Sequence, residues 1–241
     1  MRTAITAVVA MLAAISTARA EIIKVEYEGF TVWVDCARRG PTLFHYVAKK
    51  DSGSRDRSTD YKLDPNVPAR CQSTSNELFQ TFVPAGAADY DVGHQVPANH
   101  FDGSSLAIRQ TNFWTNLLPQ TKSMNRGAWL QTEYLIECIR DEVPLEIWGG
   151  PIWGNNFDDD HFFKSHGVRT PTAFWKVVIR TDNRRGIAWI IPNGDAPAGS
   201  LDEWIESIST VERVVGRTFK AANKTSRPSL SWARPTGCSV R

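Results

Sequence analysis

The chain lacks the short motifs that mark several large enzyme classes. No G-x-S-x-G, H-E-x-x-H or phosphate-binding P-loop occurs, which argues against serine hydrolase, zinc protease and NTPase chemistry. It also has no internal repeat, no low-complexity tract and no apolar run long enough to span a bilayer. Hydrophobic residues make up 41% of the 241 residues and aromatic residues 10%, which excludes a disordered chain and fits one core better than two.

Cysteine is scarce, with four residues in the whole chain. No two of them form a C-x-x-C pair, so a structural zinc site or a redox centre is not expected. Four cysteines allow three disulfide pairings, and sequence alone does not choose among them. We expect Cys36 to pair with Cys71 and Cys138 with Cys238, because this arrangement gives one N-terminal link and one that ties down the C-terminal tail.

The first twenty residues have the pattern of a secretory signal peptide. A short basic start precedes an apolar run over Ala4–Ile15, and Ala18-Arg19-Ala20 offers a small-x-small cleavage site. We therefore expect a signal peptide at residues 1–20 and an exported domain at 21–241, either periplasmic or extracellular, where disulfides form. A buried N-terminal helix is the alternative.

Net charge gives no support for nucleic-acid binding once the leader is removed. Arg2 and Arg19 leave with it, which lowers the formal net charge from +2 to zero. Binding to nucleic acid would therefore need a local basic surface.

Hydrophobic periodicity and turn residues predict an α+β fold with a mostly antiparallel central sheet flanked by helices. Strands are predicted from short β-branched and aromatic runs, namely two around Gly29 within Ile22–Val34, then Leu43–Val47, Leu145–Trp148, Phe174–Ile179 and Ile187–Ile191. Helices are predicted at Ser75–Phe82, at Ala128–Arg140 and after two capping boxes, Ser200–Glu203 and Ser209–Glu212. The segments 49–66 and 154–171 are predicted loops, and 221–241 an extended basic tail.

His94 is the first candidate for chemistry, because it follows Gly93 and precedes Pro97. That context predicts a turn or strand end from which the ring projects into a cleft. A neutral imidazole is a competent general base for taking a proton from water. A single histidine more often lies on the surface, or in the core with its ring nitrogens hydrogen-bonded. The prediction for His94 therefore depends on the motif around it.

Asn125 and Glu133 are candidate ligands for a hard cation. Eight residues on a helix give about 80° of misalignment and about 12 Å of rise, so both cannot touch one Mg²⁺ at about 2.1 Å if one helix includes both. One direct ligand, with the other acting through a bound water, fits that spacing. The alternative is that Asn125 is a helix N-cap and Glu133 a solvated helix residue.

Three ordered motifs are similar to those of the DNA/RNA non-specific endonucleases. They are Asp91-Val92-Gly93-His94-Gln95-Val96-Pro97, Thr115-Asn116-Leu117-Leu118-Pro119-Gln120, and Met124-Asn125-Arg126-Gly127-Ala128-Trp129 with Glu133. The likeness continues through Trp148–Ile152, Pro171–Lys176, Ile191–Asn193 and Glu212–Phe219, and so covers most of the exported part. The resemblance implies the ββα-metal, or His-Me finger, fold.

The resemblance also implies a role for each motif residue. His94 matches the general base, Asn125 the direct Mg²⁺ ligand, and Glu133 the residue that orients the waters of the metal. Asn116 matches the asparagine of the middle motif, which supports the base or the phosphate. Such enzymes hydrolyse phosphodiester bonds of single- or double-stranded DNA or RNA with Mg²⁺, for which Mn²⁺ is a possible substitute, and leave 5′-phosphate ends.

Val92 departs from the family's D-R-G-H signature, which has arginine at this position. An arginine there would contact phosphate through charge-assisted hydrogen bonds worth about 1.5–3 kcal/mol each. We expect either a weaker enzyme or one that uses Arg126, Arg57 or Arg55 instead. The candidates for the catalytic site are therefore His94, Asn116, Glu133, Arg126 and Arg57.

Two further groups suggest function but have simpler interpretations. The cluster Asp158-Asp159-Asp160-His161, with His166 nearby, resembles a metal site, yet consecutive acids point in different directions and a solvated loop is favoured. Phe113 and Trp114 could stack on bases, although at least one of two adjacent aromatics is expected in the core.

The sequence thus predicts a secreted, Mg²⁺-dependent, sugar-nonspecific endonuclease acting on DNA and RNA without a membrane partner, as a monomer or a homodimer. The alternative is a nucleic-acid or phosphate-binding module whose catalysis is weakened by the change at Val92.

Overall fold

The computed structural model describes residues 21–155, 157–158, 160–194 and 201–238. The predicted signal peptide at 1–20 lies outside the described residues. None of the helices in the described ranges is both long and apolar enough to cross a membrane.

A seven-stranded sheet forms the centre of the protein, with every neighbouring pair antiparallel and the order β1-β2-β3-β6-β7-β8-β9. Its strands are β1 (Ile22–Glu26), β2 (Phe30–Asp35), β3 (Gly40–Ala48), β6 (Leu145–Ile152), β7 (Ala173–Arg180), β8 (Gly186–Pro192) and β9 (Ile205–Glu206). The tight β1–β2 turn needs Gly29, whose φ of +87° lies in the left-handed region.

A smaller unit supplies the elements of the site. Strands β4 (Tyr90–His94) and β5 (Leu117–Thr121) pair antiparallel as a two-stranded sheet, and helix α3 (Leu130–Arg140) follows them in the chain. The other helices are α1 (Ser105–Thr111), the single turn α2 (Lys122–Met124), α4 (Phe163–His166) and α5 (Ile208–Val215). Single 3₁₀ turns lie at Ala69–Cys71, Phe79–Phe82, Ala98–Phe101, Trp114–Asn116 and Leu201–Trp204.

The two faces of the central sheet bury separate apolar clusters. On one face, alternate β2 residues such as Phe30, Val32 and Val34 pack in a large core that also holds Leu135, Ile136 and Ile139 of α3. On the other face, α5 and the segment after it cover Trp175, Val177 and Ile179. Helix α3 is therefore fixed against the sheet by the side that carries these apolar residues.

The structure confirms the predicted strands and the α3 helix, with small changes at their ends. The predicted helix at Ser75–Phe82 is wrong, because only the 3₁₀ turn Phe79–Phe82 forms there. The predicted helix after Ser200 is also wrong, since Leu201–Trp204 is a 3₁₀ turn that leads into β9. Ser200 itself lies outside the described residues.

The second capping box marks a real helix but places its start two residues late. Ser207, not Ser209, caps α5 by accepting a hydrogen bond from the backbone nitrogen of Thr210 at 3.1 Å. Glu212 does not close a capping box; it accepts from the Phe219 backbone nitrogen and from Lys224 Nζ, each at 2.6 Å. Burial of Ile208 and Val211 against the sheet requires the earlier start.

Both expected disulfides are present, Cys36–Cys71 and Cys138–Cys238. The second one joins α3 to the C-terminal segment. From residue 221 to 238 that segment has neither helix nor strand, and the backbone nitrogen of Ser231 donates to Asp202 Oδ1 at 2.6 Å.

Candidate active site

His94 stands at the end of β4, where the strand runs close to the side chain of Gln120 on β5. A Cβ on Gly93 would lie 2.1 Å from Gln120 Oε1, so only glycine permits this approach. The small residue before His94 is therefore required by packing.

Asn112 determines which nitrogen of His94 carries the proton. His94 Nε2 lies 2.9 Å from Asn112 Oδ1, and Asn112 Nδ2 donates to the Ser58 carbonyl at 2.8 Å. Because this second bond fixes the amide orientation, Nε2 donates to Oδ1 and the lone pair remains on Nδ1. Sequence reasoning missed Asn112, and its position before two aromatic residues gave no signal.

The surroundings keep the His94 ring neutral. Burial lowers the pKa of His94 to about 4, the hydrogen bond with Asn112 opposes this change, and the positive charge of Arg57 adds to it. At neutral pH the ring is therefore unprotonated and able to accept a proton.

Asn125 lies where the helical path is broken. Residues Asn125–Trp129 form a wide, π-type turn, and Gly127 inside it has φ −102° and ψ −111°, which are not helical values. The axis therefore changes direction between Asn125 and Glu133, so the spacing expected for one straight helix does not apply. Asn125 is not a helix N-cap but follows α2 as its C-terminal cap, and its Nδ2 donates to Asp91 Oδ2 at 2.9 Å, so the N-cap interpretation is wrong.

Asp91 holds this arrangement together. It accepts from Arg126 Nε at 2.8 Å and from Arg126 Nη2 at 2.7 Å, as well as from Asn125. Burial alone would raise the pKa of Asp91, but the bonds from Arg126 and Asn125 outweigh it and lower the pKa below its usual value. With its nitrogen engaged, Asn125 keeps its carbonyl oxygen without a partner among the described residues.

Glu133 is half-buried, so the alternative that it is a solvated helix residue is wrong. Burial raises the pKa of its carboxyl, whereas the nearby positive charges of Lys176 and Arg57 lower it in part. A partly buried carboxylate of this kind is stabilised when a cation binds near it.

These side chains converge on one cavity of about 470 Å³. Its wall contains His94, Asn125 and Glu133 together with Arg57 and Arg126. A base with a free nitrogen, a carboxamide oxygen and a half-buried carboxylate therefore face the same space.

Comparison with known proteins identifies the family of this chain. A family model described as DNA/RNA non-specific endonuclease matches residues 15–227. The chain belongs to the DNA/RNA non-specific endonuclease family.

Curated relatives of this endonuclease-family chain include nucleases of several organisms. The mitochondrial nuclease EXOG of Homo sapiens is 25% identical over 214 residues, which cover 80% of this chain but only 55% of that protein. Nuclease C1 of Cunninghamella echinulata var. echinulata is 26% identical over 181 residues, or 70% of this chain and 69% of that one. A nuclease of Nostoc sp. (strain PCC 7120) is 25% identical over 179 residues, covering 69% and 61%.

The fold agrees with a solved structure titled as the EndoG/EndoGI complex. The TM-score is 0.67 at 20% identity, and the match covers 86% of this chain and 88% of that one. The predicted ββα-metal architecture, with β4, β5 and α3 as its unit, is confirmed.

The arginines of this family member differ in what holds them. Arg57 lines the cavity and has no hydrogen bond or ion pair within the described part of the chain. Arg126 also lines it, but Asp91 accepts hydrogen bonds from two of its guanidinium nitrogens, Nε and Nη2. Arg55 is not part of the wall; its Nε lies 3.4 Å from the Gly103 carbonyl.

Val92 makes one side of the cavity apolar. It packs at the edge of a cluster containing Phe79, Tyr90 and Trp114 and lines the cavity together with Leu78. The position at which the family signature has arginine thus offers no hydrogen-bond donor from its side chain.

Asn116 does not reach the cavity. It is fully buried, accepts from the Val96 backbone nitrogen at 3.0 Å, and donates to the carbonyls of Val96 and Thr111 at 2.9 and 2.8 Å. All of its amide atoms therefore bond to backbone. It fixes the turn that follows His94 and leaves no group for a phosphate.

The other candidate groups have structural positions. Asp160 accepts from Arg169 Nε at 2.8 Å, and His166 is buried between Ser165 and the Glu77 carbonyl, so a wholly solvated loop is wrong for these two residues. Asp159 lies outside the described residues. Trp114 is 1% exposed and belongs to the core, which confirms that at least one of the adjacent aromatics is not free to stack.

Proposed function

We propose that this protein is a metal-dependent endonuclease that hydrolyses phosphodiester bonds of DNA and RNA and leaves 5′-phosphate ends. The observation that carries the proposal is the convergence of His94, Asn125 and Glu133 on one cavity, with the Nδ1 lone pair of His94 unengaged. Binding alone needs no base, so this combination favours hydrolysis.

His94 acts as the general base in this proposal. Its Nδ1 takes a proton from the attacking water, while Asn112 keeps the ring in the tautomer and orientation that this transfer requires. The pKa of about 4 ensures that the ring is unprotonated before the reaction.

The donor set fits a hard divalent cation, which we propose to be Mg²⁺, with Mn²⁺ as a substitute. Asn125 would hold it through the carbonyl oxygen that Asp91 leaves unengaged, and Glu133 would act through water. Mg²⁺ needs only one or two protein oxygens and keeps most of its waters. When bound, it supplies positive charge for the phosphate and for the leaving oxygen.

Arg57 is the group best placed to hold the phosphate. It lines the cavity and is not engaged by a carboxylate in the described part of the chain, whereas Arg126 would first have to leave Asp91. Contacts to phosphate and sugar carry no base information, so cleavage should show little sequence preference.

Export and a periplasmic or extracellular location remain part of the proposal. Support comes from the two disulfides, which persist in oxidising compartments. We further propose that the protein works as a monomer or a homodimer.

A weakened nucleic-acid-binding module is the second candidate, favoured by Val92 in place of arginine. The test that separates the two uses purified protein with plasmid DNA and RNA, in Mg²⁺ and in EDTA. Degradation only with Mg²⁺ is expected; degradation in both conditions or in neither would contradict the proposal.

A further inference from the structure

Lys176 is a fully buried lysine directly behind the site. It lies in the middle of β7, between Gly149 of β6 and Trp189 of β8, and is 0% exposed. Lysine is rarely buried unless a partner compensates its charge. It does not line the cavity, so nothing in the proposed reaction uses it directly.

The ammonium group of Lys176 contacts the segment that carries the site. Its Nζ donates to Thr132 Oγ1 at 2.6 Å and lies 3.7 Å from the centre of the Trp129 ring. A cation over an indole face is attracted by the ring electrons, most strongly when both are desolvated as here. Lys176 therefore joins the central sheet to the start of α3 at two adjacent points.

Those two contacts flank the proposed site residues. Trp129 Nε1 donates to the His94 carbonyl at 3.2 Å, which connects α3 to the end of β4. Thr132 precedes Glu133 and donates to the Trp129 carbonyl at 2.7 Å. Displacement of Lys176 would therefore loosen both the end of β4, which carries His94, and the first turn of α3, which carries Glu133.

The charge of Lys176 is compensated at longer range by Glu133. No carboxylate lies within 4.0 Å of its Nζ in residues 21–155, 157–158, 160–194 and 201–238. Burial lowers the pKa of Lys176 and the Glu133 carboxylate opposes this change, and in return Lys176 lowers the pKa of Glu133. Each charge is thus favoured by the presence of the other.

We propose that Lys176 is a positioning residue for the metal site, which holds Trp129 and Thr132 in place at the start of the helix that carries Glu133. This inference rests on the proposed function. It assigns to a residue outside the cavity the task of holding the start of α3, and with it Glu133, in the orientation that a hydrated cation uses.

The test measures Mn²⁺ binding to the whole protein by electron paramagnetic resonance, without nucleic acid. Lys176→Met keeps the length but removes the charge and should weaken binding about 10-fold, the lower end for groups that orient metal ligands. Val178→Ala, at another buried core position of β7, is the matched control for lost stability and should leave binding unchanged. Unchanged binding in Lys176→Met would overturn the inference.

A double-mutant cycle shows whether Lys176 acts through Glu133. In a Glu133→Gln background, Lys176→Met should weaken Mn²⁺ binding by less than about twofold; the same tenfold loss in both backgrounds would overturn the assigned role. If Lys176→Met does not fold, Thr132→Val, which removes only the hydrogen-bond partner, should weaken binding several-fold, and unchanged binding there counts equally against the inference. Failure of the wild type to bind Mn²⁺ would instead refute the proposed metal site itself.

Discussion

The imidazole of His94 is held by Asn112, whose Oδ1 lies 2.9 Å from His94 Nε2. Asn112 is in turn fixed by the Ser58 carbonyl at 2.8 Å, in the loop that also carries Arg57. The proposed base and the proposed phosphate-binding arginine therefore depend on the same loop. A parallel bridge between Lys62 and Phe113 holds that loop against the chain next to Asn112.

Asn112→Ala should lower the single-turnover cleavage rate by about 10- to 100-fold, because the His94 ring loses its fixed tautomer and orientation. The Mg²⁺ dependence should stay the same. Asn183→Ala, in the turn between β7 and β8, serves as the control and should leave the rate unchanged. An unchanged rate in Asn112→Ala would show that the ring is positioned by other contacts.

Asn125→Ala should raise the Mg²⁺ concentration for half-maximal activity by at least about 10-fold, because the direct ligand oxygen is lost. Asp91→Asn keeps the size of the side chain that orients Asn125 and should have a smaller effect in the same direction. The measurement is a Mg²⁺ titration of initial rates. An unaltered titration in Asn125→Ala would remove it from the metal site.

Val92→Arg should raise kcat/KM by up to about 10-fold, because one charge-assisted hydrogen bond to phosphate becomes available. Val92→Leu keeps the apolar character of this wall and should not raise it. The comparison uses initial rates on plasmid DNA at several substrate concentrations. Lower activity in Val92→Arg would show that the pocket, lined here by Leu78 and Phe79, has no room for the arginine.

The depressed pKa of His94 should make its contribution to stability depend on pH in a defined direction. Between about pH 6.5 and pH 4 the unfolded chain binds a proton at this position and the folded protein does not, so the free energy of unfolding falls as the pH falls through that window. Relative to His94→Ala, the metal-free wild type should lose on the order of 1–2 kcal/mol between pH 7 and pH 5 in denaturant unfolding. A difference that stays constant would mean that the ring protonates freely in the folded state.

Ordered motifs made much of the site predictable from sequence. His94, Asn125 and Glu133 could be named because residue types and their order specify them, and the structure brings all three to one cavity. The strands could be predicted because β-branched and aromatic runs between glycine and proline leave few alternatives. The disulfide pairing, in contrast, was only one of three possibilities.

What sequence did not give depends on contacts between distant segments. Asn112 bonds to Ser58 and His94, which are 54 and 18 positions away in the chain, so no local sequence pattern predicts these bonds. The break at Gly127 overrides a straight-helix calculation, because the π-type turn is fixed by contacts with β4 rather than by helix propensity. By resemblance, Asn116 was expected to support either the base or the phosphate; its side chain bonds only to backbone groups, including those of Val96 in the turn after His94.

In the proposed reaction, His94 Nδ1 takes the proton from the attacking water beside a metal held by Asn125. The most direct test is the single-turnover cleavage rate of His94→Ala at saturating Mg²⁺, together with its melting temperature and Mn²⁺ binding. We expect a rate loss of about 10²- to 10⁴-fold, with the melting temperature and Mn²⁺ binding close to those of the wild type. A rate within a few-fold of the wild type would contradict it.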